Sequence, residues 1–491
     1  MRIELTLESR WGVKLVLLAA LLGGCAVPGE LRGPLAGLGE PDGLISEARE
    51  SELGAREHPK IVATFGGVYR QPALQSGLEA LVNRLTRVSE RPDLRYKVTV
   101  LNSSTVNAFA LPGGYVYVTR GLLALANDED ELAAVLAHEI GHVTARHAAK
   151  RQNEAIKAVF LGRVRSVGTA SASSNALGDS DDLIASFSRK QELEADQIGV
   201  ETSVRAGFDP FAAASFLDSM GRDTAYRQQR FGREKDVYRP DLETSHPSTP
   251  ERIERVRKLA RDFGFSPGKR PRSRVSYLTM IDGLLYGDDP RDGYVRGRTF
   301  LHPDLKIAFS VPSGYILHNA QDAVFAIGPD DTALRFDGVE IEAGQTLDEY
   351  VRSVWGRGAT IQSVNMVTGD GLSSVQASAQ YDGWDYRLAA IQGEGGDVYR
   401  FLLARRGMNV ETERAFQSIV ASLHRLGDEE AKALRPLRLH RITIKPGDTV
   451  SSMALKMSAF DDPEKTFRLL NGMGPHDGLR AGDSVKIITD E

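Results

Sequence analysis

The sequence predicts an α+β protein in three folded parts: a mainly helical part with a small sheet at residues 59–263, an α+β part at 296–425, and a small βααβ unit at 439–491. Three observations predict it. Apolar residues recur at helical spacing in "QPALQSGLEALVNRLTRVSE", "DEDELAAVLAHEIGHVTARHAAKRQ" and "LIASFSRKQELEADQIGVETSVRAG", with short β-branched runs between the first two. Alternating runs such as "LKIAFSVP", "AVFAIG" and "DYRLAAIQ" dominate 296–425. The C-terminal residues run strand, turn, helix, helix, strand.

At 491 residues the chain has room for several domains. A net charge of −5 gives no sign of a nucleic-acid partner. The single cysteine, Cys25, follows the apolar run Val13–Leu22, with Arg10 and Lys14 as its basic flank. That run is too short to cross a hydrocarbon core of ~30 Å and suits a signal-peptide core. Leu22-Gly23-Gly24-Cys25 resembles the bacterial lipobox, which implies a signal peptide at 1–24 and lipidation of Cys25. Ala26 is not the aspartate that retains such proteins in the inner membrane, so the expectation is an outer-membrane anchor facing the periplasm, or a periplasmic protein if not lipidated.

The elements follow in order. Residues 25–58 are rich in Gly, Pro and charge and read as a tether. "YKVTVLN" and "YVYVTRG" are strands, with Pro112–Gly114 as the turn between them. The next helix has Asn127 as its expected N-cap and acids in its first turn, which suits the helix dipole. Residues 166–182 are small and polar, a loop. Gly207 closes the following helix and Asp209-Pro210 opens another. Residues 264–295 and 426–438 read as linkers, and "TLDEYVRSVW" and "TERAFQSIVASL" as helices of the 296–425 part.

The chemistry concentrates in "HEIGHVTARH", 138–147. His138 and His142 are four residues apart, so at about 100° per residue both rings leave one face of the helix. Glu139 lies between them. This H-E-x-x-H pattern suits two imidazoles on zinc with a carboxylate as base toward water. Leu132, Val135, Leu136, Ile140 and Val143 can face a core and hold the histidines rigidly. His147 lies nine residues past His138, roughly 180° around the helix. It is expected to be a surface residue or a hydrogen-bonding partner and no ligand. A third ligand must come from another element. "SRKQELEADQIG" offers Glu192 and Asp196 on one helical face, with Glu194 turned toward solvent.

H-E-x-x-H followed by E-x-x-A-D resembles the M48 peptidases, among them the HtpX-like and periplasmic BepA-like members. The resemblance covers about 60–262 and implies a zincin-type metalloprotease with one Zn²⁺ per chain. It implies Glu192 as third ligand, with Asp196 hydrogen-bonded to a ligand histidine. "NAFALPGGYVYVTRGLL" looks like the family's strand and turn. It makes Asn107, Tyr115, Val116, Tyr117 and Val118 candidate substrate contacts, with 115–118 as an edge strand for an extended peptide. "SHPSTPERI" resembles the family's H-P-x-x-x-x-R segment. His246 is then either a donor to the oxyanion or a removable fourth ligand, and Arg252 positions the loop or the substrate. Glu139, His246 and Arg252 form the expected catalytic set. Residues 439–491 resemble a LysM module, which implies binding to peptidoglycan. The expected function is zinc-dependent endoproteolysis of unfolded or misassembled envelope proteins. The alternative is a non-enzymatic chaperone or wall-tethered scaffold on the same fold.

Overall fold

The computed structural model describes residues 46–151, 187–231, 242–269, 272–320, 322–369, 372–393 and 396–490. The signal peptide, Cys25, most of the tether and the 166–182 loop lie outside the described residues. The chain divides into two compact units, one containing 29–287 together with 437–491 and the other 288–436.

In the first unit, helix α1 (Glu47–Thr64) starts at Ser46, whose side chain accepts from the Arg49 amide. It buries Leu53 and Ile61. The expected tether therefore ends in a helix. Gly54 is there for a close approach: a Cβ on it would stand 2.2 Å from the Pro112 carbonyl oxygen. Helix α2 (Pro72–Thr86) buries Leu74, Leu78, Leu81 and Leu85. Strands β1 (Lys97–Leu101), β2 (Ala108–Leu111) and β3 (Tyr115–Thr119) form a sheet in the order β1-β3-β2. β3 is parallel to β1 and antiparallel to β2. Helix α3 (Arg120–Leu125) leads into α4 (Glu129–Thr144).

The cap of α4 is Asp128, one residue past the expected Asn127; its Oδ1 accepts from the Glu131 amide at 2.8 Å. The helix stops at Thr144 because Arg146 takes a left-handed conformation, φ 53°. Helix α5 (Arg189–Arg205) begins with a capping box between Ser188 and Gln191 and ends before Gly207, φ 85°. Helices α6 (Ala212–Phe231), α7 (Leu242–Ser245) and α8 (Pro250–Asp262) follow. Helix α9 (Arg274–Met280) falls within the expected 264–295 linker. It is no linker, since Tyr277 is buried and its hydroxyl donates to the Leu123 carbonyl at 2.6 Å.

The second unit is two sheets and their helices. Strands β4 (Tyr294–Arg296), β5 (Thr299–His302), β6 (Ile307–Ser310), β7 (Ile316–Asn319), β8 (Val324–Gly328) and β9 (Thr332–Glu340) come first. Helix α10 (Leu347–Glu349) continues into a π-helical turn, Tyr350–Trp355. Then come β10 (Thr360–Gly369), β11 (Leu372–Tyr381), β12 (Trp384–Gln392), β13 (Asp397–Arg405), helix α11 (Val410–Ala421), β14 (His424–Arg425) and helix α12 (Asp428–Ala433). One sheet runs β10-β11-β12-β13-β9-β8-β7 and the other β14-β6-β5-β4. Phe309, Phe336, Phe401 and Phe416 share a core on one face of the larger sheet. Val351, Ala377 and Leu388 share one on the other. The unit thus takes in parts of both expected linkers.

The chain then returns to the first unit. Strands β15 (Arg438–Thr443) and β16 (Ser484–Thr489) pair antiparallel around helices α13 (Val450–Ala454) and α14 (Pro463–Leu470), the expected βααβ order. This segment is no separate domain. Leu439, Phe467 and Ile487 join the same core as Leu78, Leu123 and Leu136. Lys486, fully buried, donates to the carbonyls of Ala124, Leu125 and Ala126 at 2.7, 3.1 and 2.8 Å. These are orphan acceptors of the last turn of α3. Arg274 bonds Ser484 and Asn471 of the returning segment and Asn127. Among the described residues, no helix is long and apolar enough to cross a membrane.

Candidate metal centre

The α4 helix crosses α5 closely because each carries a glycine at the contact. A Cβ on Gly199 would lie 3.1 Å from the His138 nitrogen, and one on Gly141 would lie 3.2 Å from the Ala195 carbonyl oxygen. The crossing brings four side chains together: one donor atom from each of His138, His142, Glu192 and His246 lies within 4.8 Å of the others. The Nε2 atoms of His138 and His142 stand 3.1 Å apart. The Glu192 carboxylate is 3.5 Å from each of them and 2.9 Å from His246 Nδ1. His246 Nδ1 lies 3.3 Å from His138 Nε2.

Buried surroundings hold these groups. Asp196 Oδ1 accepts from His138 Nδ1 at 3.0 Å, which leaves Nε2 to offer its lone pair once a cation displaces its proton. Arg252 donates from Nε and Nη2 to Asp196 at 2.8 and 2.6 Å, and from Nη1 to the Pro247 carbonyl at 3.0 Å. Its Nη1 is also 3.1 Å from Glu192. Arg252 is buried, so it fastens the two acids and the loop from behind. His147 is fully buried and not a surface residue: the break at Arg146 turns it back, and its Nδ1 meets His142 Nδ1 at 2.9 Å. Its other nitrogen lies 3.4 Å from Glu194, which remains partly exposed. Phe187 stacks on the His142 ring at 4.0 Å. His147 thus takes the second of its two expected places, as a hydrogen-bonding partner, while Phe187 was not singled out from the sequence.

Burial works against a charged His138, but the Asp196 and Glu192 carboxylates outweigh it and raise its pKa to about 10. Burial depresses His142 well below the ordinary histidine value, and the His138 charge adds to this. Burial also works against the Glu192 carboxylate, but His246 and His138 hold it far below the usual range. Burial pushes Glu139 up, and its Oε1 has no hydrogen-bond partner, with His246 Nε2 3.7 Å away. Two imidazole Nε2 atoms 3.1 Å apart beside a carboxylate, with a buried acid next to them, suit a divalent cation that displaces the proton on His138, and the N,N,O donor set is one zinc takes.

The expected substrate strand is corrected. β3 is the central strand, paired on both sides, and Val116, Tyr117 and Val118 are fully buried. The Tyr117 hydroxyl is hydrogen-bonded with His58 Nδ1 at 2.7 Å, and Tyr115 packs beside the same ring. Asn107 is fully buried too, with its main chain bonded to Thr119. The strand edge near the centre belongs to β2, which packs on α4. On the other side, Ala213, Phe216, Leu217, Met220 and Leu242 form an apolar niche of ≈ 40 Å³ against His138 and Glu139.

An H-E-x-x-H helix crossed by a carboxylate-bearing helix, with a small sheet alongside, defines a metallopeptidase domain. Comparison agrees: residues 72–260 match Peptidase family M48. Mitochondrial metalloendopeptidase OMA1 of Schizosaccharomyces pombe is 36% identical over 178 residues, 36% of this chain and 50% of that protein. The beta-barrel assembly-enhancing protease of Yersinia pestis is 32% identical over 229 residues, 44% of this chain and 45% of that protein. The protein of that name from Escherichia coli (strain K12) is 30% identical over 200 residues, 38% and 39%. The chain thus spans half or less of the length of these relatives.

Proposed function

We propose that the protein is a zinc-dependent metalloendopeptidase of the bacterial cell envelope, cutting unfolded or misassembled envelope proteins. The observation that carries this is the meeting of His138, His142 and Glu192 donors beside a buried, unpartnered Glu139. The name of the beta-barrel assembly-enhancing relatives supports the envelope setting.

His138, His142 and Glu192 hold the ion. Zinc there supplies Lewis acidity toward water and a peptide carbonyl. Glu139 takes a proton from the attacking water and returns it to the departing amine. Asp196, held by Arg252, keeps the His138 Nε2 lone pair aimed at the ion, and His147 does the same service for His142. Arg252 is a positioning residue. The substrate main chain pairs with the free edge of β2, and a side chain enters the niche at Phe216 and Met220. His246 stands within the donor set, which favours a removable fourth ligand and a latent resting state over a donor to the oxyanion. Cys25 carries a lipid anchor on the outer membrane facing the periplasm, and residues 439–491 hold peptidoglycan.

Zinc content measured alongside casein cleavage tests the reading. Cleavage lost to a chelator and restored by zinc is expected; cleavage that survives zinc removal overturns it. Loss of labelled palmitate in Cys25→Ser tests the anchor, and co-sedimentation with peptidoglycan tests the C-terminal segment.

A further inference from the structure

The second unit holds a cavity of ≈ 420 Å³ on one face of its larger sheet, within the range of ligand sites. Its floor comes from β9, β11, β12 and β13, where Ala379 is paired with Tyr386, Leu388 with Leu402 and Arg400 with Asp337. The π-helical turn forms a wall. In an α-helix, residues five apart point about 140° away from each other. Here the Gly356 amide bonds the Val351 carbonyl, an i→i+5 pattern, and the Tyr350 and Trp355 rings lie side by side, centroids 6.3 Å apart. A Cβ on Gly356 would stand 2.7 Å from both the Val351 carbonyl oxygen and Ile361 Cδ1. Ile361, in β10, packs on this wall and is no part of the lining, so the cavity belongs to the sheet face and not to the sheet edge.

The polar groups at the floor are donors. Tyr350 and Arg400 are each 6% exposed. Arg400 donates from Nε and Nη2 to Asp337 at 2.6 and 2.8 Å, and from Nη1 to the Tyr350 oxygen at 2.7 Å. A guanidinium has five N–H groups, so two remain. Burial pushes the Tyr350 phenol up against the pull of Arg400, so it keeps its proton at neutral pH. Among the described residues no acceptor meets that proton, because Tyr350 serves Arg400 as acceptor. Buried donors without an acceptor call for one.

Charge points the same way. Glu340, Glu342 and Arg357 in the lining are exposed, where solvent screens them. Deeper, the guanidiniums of Arg335 and Arg400 share the one Asp337 carboxylate, Arg335 Nε reaching it at 2.7 Å. The other acid near Arg335 is Asp322, 3.7 Å away, outside the lining and 42% exposed. One positive charge is thus incompletely answered inside. Trp355, Tyr386, Leu388 and Leu402 stand around it. A negatively charged acceptor on an apolar body fits both features.

We propose that this cavity binds an apolar carboxylate, its ring or branched chain against Trp355 and Leu388, its oxygens accepting from the Tyr350 hydroxyl and the remaining Arg400 N–H groups. A free aromatic or branched acid and the last residue of a polypeptide share this chemistry. The site lies outside the metal centre and does not rest on the peptidase reading.

The test titrates the full, zinc-loaded chain with 2-naphthylacetate by calorimetry. The volume equals that of about fourteen waters at ~30 Å³ each, the scale of this bicyclic acid. 2-Naphthylacetamide, the same body without the charge, is expected to bind about tenfold more weakly, the scale of one charge-assisted bond. Tyr350→Phe should weaken binding of the acid about fivefold, as one net hydrogen bond requires. Trp355→Ala should weaken it about tenfold, as the burial of one ring requires. Stripping the zinc should leave the affinity unchanged. The tetrapeptide Ala-Ala-Ala-Phe with a free C-terminus separates the two sources: tighter binding than the acid assigns a chain terminus, weaker binding a small molecule. Loss of acid binding with the zinc would place the acid on the metal and overturn the proposal. So would equal binding of acid and amide, wild-type affinity in both variants, or no binding at millimolar acid.

Discussion

Asp196→Asn isolates the support behind the metal site. The Asp196 carboxylate receives three donors, His138 Nδ1 at 3.0 Å and Arg252 Nε and Nη2 at 2.8 and 2.6 Å. Asparagine keeps the shape but has one acceptor oxygen, and its amide must point N–H at a donor. At least one charge-assisted bond is lost, costing about 1.5–3 kcal/mol. Loss of a partner behind a metal ligand weakens metal affinity about 10–100-fold, and tenfold corresponds to about 1.4 kcal/mol, so the two scales agree. Competition with a chromophoric chelator at neutral pH measures the zinc affinity, and urea unfolding of the zinc-free protein measures the fold. A drop in zinc affinity of that size is expected. Unchanged affinity with lower stability would show that Asp196 only anchors Arg252 and its loop, and would refute the reasoning.

Lys486→Met leaves the Ala124, Leu125 and Ala126 carbonyls without their donor, so denaturant unfolding should show a loss of about 2–4 kcal/mol, the scale of one or two unsatisfied buried groups. The first unit should still unfold in a single transition, whereas a separate early transition for residues 437–491 would contradict the shared core. Asp128 is pushed up to about 6 by burial and by the Glu131 and Asp130 charges, with Arg272 opposing. A raised folded value means the native state keeps a proton that the unfolded chain has given up, so this group's stabilisation is full below about pH 4 and is lost as pH rises through about 6. Asp128→Asn, which still caps α4, should flatten that decline in thermal midpoints taken between pH 4 and 8; an unaltered slope would show that another group causes it. His246→Ala removes the fourth donor and should raise peptide cleavage, whereas a fall would return His246 to the oxyanion role.

The metal pair was legible because helical spacing alone puts His138 and His142 on one face. The βααβ order at the C-terminus was legible from turn residues and alternation. The position of β3 in its sheet was not, since a period-two pattern names a strand but not its neighbours. Its run Val116-Tyr117-Val118, apolar on both faces, was the available sign of a strand covered from both sides. Between the two places left open for His147, surface or hydrogen-bonding partner, the sequence could not choose, because nothing in "HVTARHAA" marks Arg146 as left-handed; only packing forces a non-glycine residue there. The close helix crossing could have been suspected from Gly141 and Gly199, each inside a helix where glycine costs stability. The docking of the C-terminal segment had its sign in Lys486, a lone charge within the apolar strand "SVKIIT".

Zinc content and casein cleavage measured together on wild type and Glu139→Gln test the centre most directly. One zinc per chain in both proteins, with cleavage only in the wild type, is the predicted result. A Glu139→Gln protein that cuts casein at the wild-type rate, or a wild type that cuts it while holding no metal, would contradict the account.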